Sequence, residues 1–536
     1  MRGQREAPKD GWSLRHFRFV ALFLFFFCPS LPLRATGKPT KPSRRLLASI
    51  SVRTAPLGRK IPSGFVGMSL EVSTLGQALP VPPKDLQLAN QIHPRGEFVY
   101  ALGEPGDPNR AFFQFMRNLG PGILRLGGNS QDNTCWDKSA APHPALCHGA
   151  IAPGELRLYS EAARVSGWRL ILGLNLKQDS PRWALGEVTQ GVARYIQPNQ
   201  IVALEIGNEP SLFPDDGSRP RNYSLADYLG EFQAYARAFA ANPVARRYAL
   251  AGPAECCRWE NTRDLETIMD SLRHANLKLV TVHEYPATVC GGRTVSVAQL
   301  LAPRTIDPFI RRAREWVVAA HRRGLPIALA ETNSVSCGGM AGVSDAFASA
   351  LWALDYMFQA ARDGFVSINF HSSYRAGGSA YNPILTIGTR AGAGRWNYAN
   401  TAQPLYYAMY MFARNAETGR FLPLSIETDA NVRAYAVTAC ARCAVKVFAI
   451  NKDVSASGRM RIRIAGRKAS AKLLLLRAPR LDSTASAVRY GGEQFGADGR
   501  IGAPHVEKLR PDARGEFVFV LPNASAALLT VGAAKE

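Results

Sequence analysis

Short apolar runs alternate with longer amphipathic stretches between about residues 64 and 412. The apolar runs are rich in Val, Ile and Leu, and a stretch with helical periodicity follows most of them, which predicts a parallel sheet covered by helices. Eight strands are predicted, at 64–72, 122–127, 169–176, 201–206, 249–253, 279–284, 326–330 and 364–370. Helices are predicted at 109–118, 155–165, 224–241, 262–274, 307–323 and 344–362. This order favours an α/β fold with a (β/α)8 TIM barrel, and a doubly wound open sheet is the alternative.

The pattern changes to period two after about residue 412. Alternating segments lie at 433–437, 445–450, 459–464, 472–476 and 516–521, with turn residues between them. They predict a second domain that is an antiparallel β-sandwich. Two domains also suit a chain of 536 residues. The expected organisation is a barrel at 64–412 and a β-sandwich at 413–536, to which segment 37–63 adds a strand through its alternating residues 46–54.

Two predicted strands lead directly into a glutamate. Glu209 follows the fourth strand in an Asn-Glu-Pro segment, and Glu331 follows the seventh in a Glu-Thr-Asn segment. A closed barrel brings the carboxyl ends of its strands to one rim, so both carboxyl groups would lie at the active face. Retaining glycosidases use two carboxyl groups roughly 5 Å apart. The sequence therefore predicts a glycosidase, although a helix-capping role for Glu209 and an ion pair for Glu331 would fit each motif taken alone.

The amino-terminal residues 1–36 combine basic residues, an apolar run at 19–28 and a small-residue region near Ala35. The apolar run is short for a membrane span, so it predicts a secretory signal and a secreted or periplasmic protein. An uncleaved amino-terminal anchor is the alternative. After removal of the signal, which carries six basic and two acidic residues, the formal charge falls from +23 to +19 and no stable membrane insertion is expected.

The basic balance would steer polyanions to the protein. The basic stretches at 311–312, 322–323 and 461–468 lack interleaved aromatic residues, so nucleic acid is not the expected partner. An acidic glycan is consistent with both the charge and export.

Eight cysteines remain once Cys28 is set aside, and export permits disulfides. Three pairings are predicted: Cys135 with Cys147, Cys440 with Cys443, and Cys290 with Cys337. The last pair follows the sixth and seventh strands and would fix the rim of an active site. The pairing of Cys256 and Cys257 stays open. No metal or other cofactor is expected, because a second Cys-x-x-Cys pair, a His-Glu-x-x-His motif and a phosphate-binding loop are all missing from the sequence.

Five motifs in order resemble glycoside hydrolase family 79, the family of bacterial β-glucuronidases and heparanase. They are Leu-Arg-Leu-Gly-Gly-Asn at 124–129, Glu-Ile-Gly-Asn-Glu-Pro at 205–210, His-Glu-Tyr-Pro at 283–286, Glu-Thr-Asn-Ser at 331–334 and Tyr-Asn-Pro-Ile at 381–384. The likeness covers roughly residues 60–530. It implies retaining hydrolysis of β-linked glucuronic acid, with Glu209 as acid/base and Glu331 as nucleophile.

The resemblance also implies contacts to the sugar. Asn208 would bind the 2-hydroxyl, Tyr285 would orient Glu331, and Glu71 and Asn129 would hold ring hydroxyls. Tyr285 could instead only pack at the rim, and Glu71 and Asn129 could be buried structural residues.

A uronidase further needs a site for the C6 carboxylate. In the family this site uses backbone amides of a glycine turn and a tyrosine, which correspond here to Gly338, Gly339 and Tyr381. Ser336-Cys337 stands where relatives often carry a tyrosine, and Tyr374 or Arg375 is a candidate replacement.

Two other functions remain open from the sequence. One is a β-glycosidase of the same clan that acts on a neutral sugar, and the other is a secreted glycan-binding protein without catalysis. The sequence leaves exo or endo action and the oligomeric state undetermined.

Overall fold

The computed structural model describes residues 45–72, 97–98, 100–136, 149–373 and 380–533. The predicted signal at 1–36 therefore lies outside the described residues, as do Cys147, Tyr374 and Arg375. Within the described part of the chain, no helix has the length and apolar character needed to cross a membrane.

Eight parallel strands close into a barrel in which chain neighbours are also spatial neighbours. They are Val66–Glu71, Ile123–Gly127, Arg169–Leu174, Ile201–Ile206, Leu250–Glu255, Leu277–Glu284, Ile327–Thr332 and Ile368–Ser372. The predicted TIM barrel is confirmed, and the open-sheet alternative is wrong. We refer to these as the first to eighth barrel strands.

Helices surround the barrel. The longer ones are Arg110–Asn118, Pro153–Ser166, Leu225–Ala241, Thr262–Leu272, Pro303–Arg322, Phe347–Asp363 and Pro404–Asn415. Shorter helical segments are Pro181–Gly186, Glu187–Val192, Ala193–Tyr195 and Val297–Leu301. Gly364 ends the helix Phe347–Asp363 with a left-handed backbone (φ 118°). The eighth strand therefore begins four residues later than its predicted start.

The barrel interior changes character along its axis. Near the amino ends of the strands, small and branched apolar side chains fill it: Ile123, Ile171, Ala203, Ala251, Leu279 and Ala328. Toward the carboxyl ends the inward residues are buried and polar, among them Ser69, Arg125, Glu205, His283 and Glu331. A closed apolar floor below a polar face is the arrangement that enzymes on this fold use.

A β-sandwich lies beside the barrel. One sheet orders Leu424–Glu427, Leu46–Val52, Gly458–Ile464 and Glu516–Leu521. The other contains Arg420–Phe421, Val432–Thr438, Val445–Asn451, Ser525–Val531, Ala471–Arg477, Arg489–Tyr490 and Glu507–Leu509. Apolar side chains from both sheets share one core. One pairing departs from the expected antiparallel pattern, because Leu46–Val52 runs parallel to Gly458–Ile464.

The second sheet packs on the barrel helix Phe347–Asp363. Phe358 lies 4.5 Å from the ring of Tyr435 and 4.7 Å from that of Phe448. Asp355 of the same helix pairs with Lys452 at 2.5 Å, and both side chains are fully buried. Removing either partner would leave a buried charge uncompensated, so this pair links the helix to the sheet.

The remaining strands lie in loops around the barrel. They are Glu97–Phe98, Ile384–Arg390 and Trp396–Ala402, the hairpin of Gly103–Glu104 with Asp107–Pro108, and Thr134–Trp136 with Gly149–Ile151.

Candidate active site

Glu209 and Glu331 face each other at the carboxyl end of the barrel. Glu331 belongs to the seventh strand, whereas Glu209 lies three residues beyond the fourth. Carboxylate oxygens of the two residues lie within 4.8 Å of each other. This separation matches the roughly 5 Å of retaining glycosidases and is too short for the water that an inverting enzyme must place between its carboxyl groups.

The backbone at Glu209 is unusual. Glu209 has a left-handed conformation (φ 50°), and Pro210 then begins a short helical turn, Pro210–Leu212. The Glu209 N–H donates to the carbonyl of Ala254 on the fifth strand at 2.8 Å. A non-glycine residue in this region is costly and is retained mainly where the surroundings hold it. The turn thereby aims the carboxyl group of Glu209 inward.

The surroundings of Glu209 favour its protonated form. Its side chain is 15% exposed, and Oε1 lies 2.9 Å from Nδ1 of His283. Burial, and then the negative charge of Glu331, raise the pKa of Glu209 to about 8. Burial also lowers the pKa of His283 to about 4, so this imidazole is neutral near pH 7 and does not oppose the effect.

The surroundings of Glu331 favour its anion. Burial alone would raise its pKa, but nearby positive charges and hydrogen bonds outweigh burial and hold the pKa well below its usual range. Arg125 Nη1 donates to Oε2 at 2.8 Å, and the Tyr285 hydroxyl donates to Oε1 at 2.9 Å. His371 Nδ1 lies 3.7 Å from Oε2, and Glu331 and Glu71 raise the pKa of this imidazole against the effect of burial.

Arg125 contacts both the Glu331 carboxylate and Asn208, although no role was predicted for this residue from the sequence. Its side chain is completely buried and donates to Glu205 at 2.6 Å, Asn208 Oδ1 at 2.7 Å and Ser69 Oγ at 3.1 Å, besides Glu331. The sequence did contain a signal for it, an arginine inside the apolar second strand. An arginine is almost never fully buried without partners, so this one indicates buried acidic or polar side chains nearby.

His371 was missed as well. It ends the Asn-Phe-His run of the eighth strand, with Nε2 3.6 Å from Glu71 and Nδ1 3.0 Å from Ser69 Oγ. A single histidine at a strand end carries no recognisable motif, so only the folded barrel relates it to Glu331.

The residues expected to hold ring hydroxyls surround the glutamates. Glu71 accepts from the N–H and hydroxyl of Ser130, at 2.8 and 2.5 Å. Asn208 Nδ2 donates to Asn129 Oδ1 at 3.4 Å, while its backbone N–H donates to Asp132 at 2.7 Å. Asn129 is exposed, whereas Asn208 is 4% exposed.

The residues expected to bind a carboxylate line the same cavity as Glu331 or lie directly behind its wall. The rings of Tyr381 and Tyr285 are 6.3 Å apart. Gly338 and Gly339 both have positive φ, of 92° and 84°. A Cβ at Gly339 would lie 3.0 Å from the backbone nitrogen of Tyr381. Glycine thus lets this turn lie directly against the tyrosine segment.

Disulfides shape this rim. Cys290 is bonded to Cys337, immediately before the glycine turn, as predicted. Ser336, in the place of the missing tyrosine, donates its hydroxyl to Thr288 at 2.7 Å and so ties the same two loops together. Cys440 is bonded to Cys443, which is also as predicted, and Cys256 is bonded to Cys257. The predicted bond of Cys135 to Cys147 falls outside the described residues.

A cavity of about 880 Å³ opens above the two glutamates. Seven of the nine predicted site residues line it: Glu71, Asn129, Glu209, Tyr285, Glu331, Gly338 and Tyr381. Asn208 and Gly339 do not line it.

The chain is similar in sequence to known β-glucuronidases and to a heparanase. No protein-family model matches the chain. A β-glucuronidase of Neurospora crassa is 23% identical over 333 residues, which cover 54% of this chain and 58% of that protein. A β-glucuronidase of Aspergillus niger is 23% identical, covering 64% of this chain and 68% of that protein. Heparanase of Gallus gallus is 27% identical, covering 42% and 43%. The chain thus matches less than two thirds of the Neurospora protein.

Solved structures share the fold. A 4-O-α-L-rhamnosyl-β-D-glucuronidase from Fusarium oxysporum superposes with a TM-score of 0.67 and 18% identity, covering 90% of this chain and all of that chain. A family 51 arabinofuranosidase from Xanthomonas axonopodis gives a TM-score of 0.61 at 14% identity, covering 90% and 99%. Identities this low show the fold alone. The sequence relatives confirm the resemblance found in the motifs: the chain is related to the β-glucuronidases and heparanase of glycoside hydrolase family 79.

Proposed function

We propose that this protein is a retaining glycoside hydrolase that cleaves β-linked glucuronic acid from glycans or other glucuronides. One observation carries the proposal: two carboxyl groups lie within 4.8 Å of each other, and their surroundings push their pKa values in opposite directions. A protonated acid beside an ionised nucleophile is the state in which a retaining enzyme meets its substrate.

In the first step, Glu331 attacks the anomeric carbon and forms a covalent glycosyl-enzyme bond. The bond from this carbon to the leaving oxygen breaks, and Glu209 donates its proton to that oxygen so that the aglycone leaves as an alcohol. Arg125 and Tyr285 each hold one oxygen of Glu331, which keeps the nucleophile anionic and in position before attack.

In the second step, Glu209 acts as a base. Once the negative charge of Glu331 is consumed in the ester, the pKa of Glu209 falls, because the like charge that raised it is gone. The Glu209 carboxylate then takes a proton from water, which attacks the anomeric carbon and releases Glu331. Two inversions leave the product in the β configuration.

The residues around the glutamates would hold the sugar. Asn208 accepts from Arg125 through Oδ1 and donates through Nδ2 to Asn129, which does line the cavity. The second hydrogen on Nδ2 would serve the 2-hydroxyl. Glu71 and Asn129 line the cavity beside it and would bind further hydroxyls. A contact to the 2-hydroxyl that strengthens in the transition state contributes to rate as well as binding.

The C6 carboxylate would meet Tyr381 and the turn at Gly338 and Gly339. The support is their position: Gly338 and Tyr381 line the cavity, and Gly339 packs directly behind Tyr381. Ser336 is engaged with Thr288 and would not replace the hydroxyl of the missing tyrosine.

We further propose that residues 1–36 direct export and that an acidic glycan or glucuronide, rather than nucleic acid, is the partner. Disulfides persist in oxidising compartments, and the described residues contain three. Sequencing the amino terminus of protein recovered from a secreting host tests the first point, and a mature chain that still begins at Met1 would contradict it.

The test of the activity is a panel of aryl β-glycosides. We expect the glucuronide to be hydrolysed much faster than the glucoside or xyloside, and NMR to show the β anomer of glucuronic acid as the first product. Preference for the glucoside would support a neutral-sugar glycosidase. Saturable binding of a glucuronide without turnover would support a glycan-binding protein, and an α product would exclude retention.

A further inference from the structure

The adjacent cysteines after the fifth barrel strand are joined to each other. Cys256 and Cys257 form one disulfide, and both residues line the cavity above Glu209 and Glu331. Cys256 is half-buried and Cys257 is exposed. A disulfide offers neither a charge nor a strong hydrogen-bond donor, and sulfur is polarisable, so this part of the wall favours contact with apolar surface.

A buried carboxylate fixes the turn that carries the disulfide. Glu255 accepts the N–H groups of Cys256 and Cys257 at 3.1 and 2.9 Å and the hydroxyl of Ser211 at 2.5 Å. Ser211 lies two residues after Glu209, in the short helical turn Pro210–Leu212. The N–H of Glu209, just before this turn, donates to the carbonyl of Ala254 on the fifth strand. The position of the disulfide is therefore coupled to that of the proposed acid.

The cavity has two sides. The residues assigned to the glucuronate ring lie at or just after the ends of the first, second, fourth and seventh strands and in the segment after the eighth. Glu209 gives its proton to the leaving oxygen, so the aglycone must extend toward the strands beyond it, the fifth and sixth. Leu212, Cys256 and Cys257 line the cavity on that side.

The arginine at the centre of the aglycone side is already paired. Arg312 lies between Glu284, at 2.6 Å, and Glu260, at 3.5 Å, and all three line the cavity. Arg293 lines it as well. Because these carboxyl groups engage the donors of Arg312, this guanidinium is less available to a sulfated or carboxylated leaving group.

We infer that the Cys256–Cys257 disulfide, with Leu212, forms the apolar platform of the aglycone subsite and accepts a neutral aglycone with a flat apolar ring face. This inference rests on the proposed function, since it takes Glu209 as the acid. The excess positive charge of the protein then plays no part in binding the leaving group.

The test compares two substrates that differ only in the aglycone. 4-Nitrophenyl β-glucuronide places an aromatic ring on the platform, whereas the leaving group of β-glucuronyl fluoride is a single fluoride ion. Both leaving groups depart without much protonation. In the variant Cys256→Ala/Cys257→Ala we expect kcat/KM to fall about tenfold for the nitrophenyl substrate, the loss that removal of roughly 50 Å² of apolar contact would cause. The rate with the fluoride should stay within about twofold of wild type.

The matched control is Cys440→Ala/Cys443→Ala, which removes a short-range disulfide from the β-sandwich and should change neither rate. Leu212→Ala leaves the disulfide intact and should reproduce the selective loss if the double variant does not fold. Equal losses on both substrates, or no loss on either, would overturn the inference while leaving the activity established. A wild-type protein inactive on both substrates would instead overturn the proposed function.

Discussion

Replacing Arg125 with methionine removes the only cation that contacts both Glu205 and Glu331 within the described residues. Methionine has a similar length and no charge, so the change tests electrostatics more than packing. Both carboxylates are buried, with exposed fractions of 0% and 9%, and Asn208 and Ser69 lose their donor as well. Breaking a buried ion pair by removing one partner typically costs 3–5 kcal/mol. We expect Arg125→Met to lower the free energy of unfolding by about that amount at pH 7.

The loss should depend on pH. In the wild type the pKa of Glu331 is lowered, so its contribution to stability is present above the unfolded-state pKa and is lost as the pH falls. Without Arg125 the pKa of Glu331 rises, although His371 and Tyr285 still favour the anion. The variant then lacks part of the stability that the wild type gains from the ionised carboxylate, and this difference shrinks by up to about 1.4 kcal/mol per unit as the pH falls below the variant's pKa. The destabilisation should therefore be smaller at pH 5 than at pH 8.

Urea unfolding followed by tryptophan fluorescence at pH 5, 6, 7 and 8 measures both effects. Arg480→Met is the matched control, because Arg480 forms an exposed pair with Asp482 and its loss should leave the free energy of unfolding nearly unchanged. Arg125→Lys restores the charge but not the fork of donors, so it should recover only part of the loss. A methionine variant within about 1 kcal/mol of wild type at pH 7, or one whose loss does not vary with pH, would refute this account of Arg125.

Further predictions concern the reaction. Glu331→Gln should abolish the glycosyl-enzyme and slow turnover on the order of 10⁴-fold, checked by kcat and by mass spectrometry with a 2-fluoro glucuronide; near-normal turnover would remove the nucleophile assignment. Glu209→Ala should keep slow cleavage of nitrophenyl glucuronide but lose phenyl glucuronide, and equal losses would exclude Glu209 as the acid. Because Glu209 must be protonated and its pKa is raised to about 8, kcat/KM for phenyl glucuronide should be constant up to about pH 8 and fall above it; a decline beginning near pH 5 would contradict this. Tyr381→Phe should weaken glucuronide cleavage by roughly 1–3 kcal/mol and spare glucoside cleavage, and equal losses on both would argue against uronate recognition.

Local patterns in the sequence were sufficient for the barrel and for the two glutamates. Each strand shows its own apolar run, and parallel strands in a closed barrel must end at the same rim, so Glu209 and Glu331 could be related without coordinates. Boundaries were less accurate. The predicted strand at 364–370 took in Gly364, which ends a helix through its left-handed backbone instead of starting the strand.

Contacts between distant segments could not be read in this way. The pairing of Leu46–Val52 with Gly458–Ile464 joins strands more than 400 residues apart, and both parallel and antiparallel pairing satisfy the same alternation. The adjacent cysteines were undecided for a similar reason, because their sequence separation does not tell whether they bond to each other or elsewhere; in the structure they are joined.

The sequence by itself therefore determined the barrel, the accompanying β-sandwich and the positions of the two glutamates, because periodicity and strand ends are local properties. Only the tertiary structure decided their chemistry. Burial and the charge of Glu331 raise the pKa of Glu209, whereas His371, Arg125 and other groups on different strands lower the pKa of Glu331 against the effect of burial. Electrostatic effects of this kind depend on distances of a few ångströms between residues far apart in the chain, and such distances exist only once the barrel has closed.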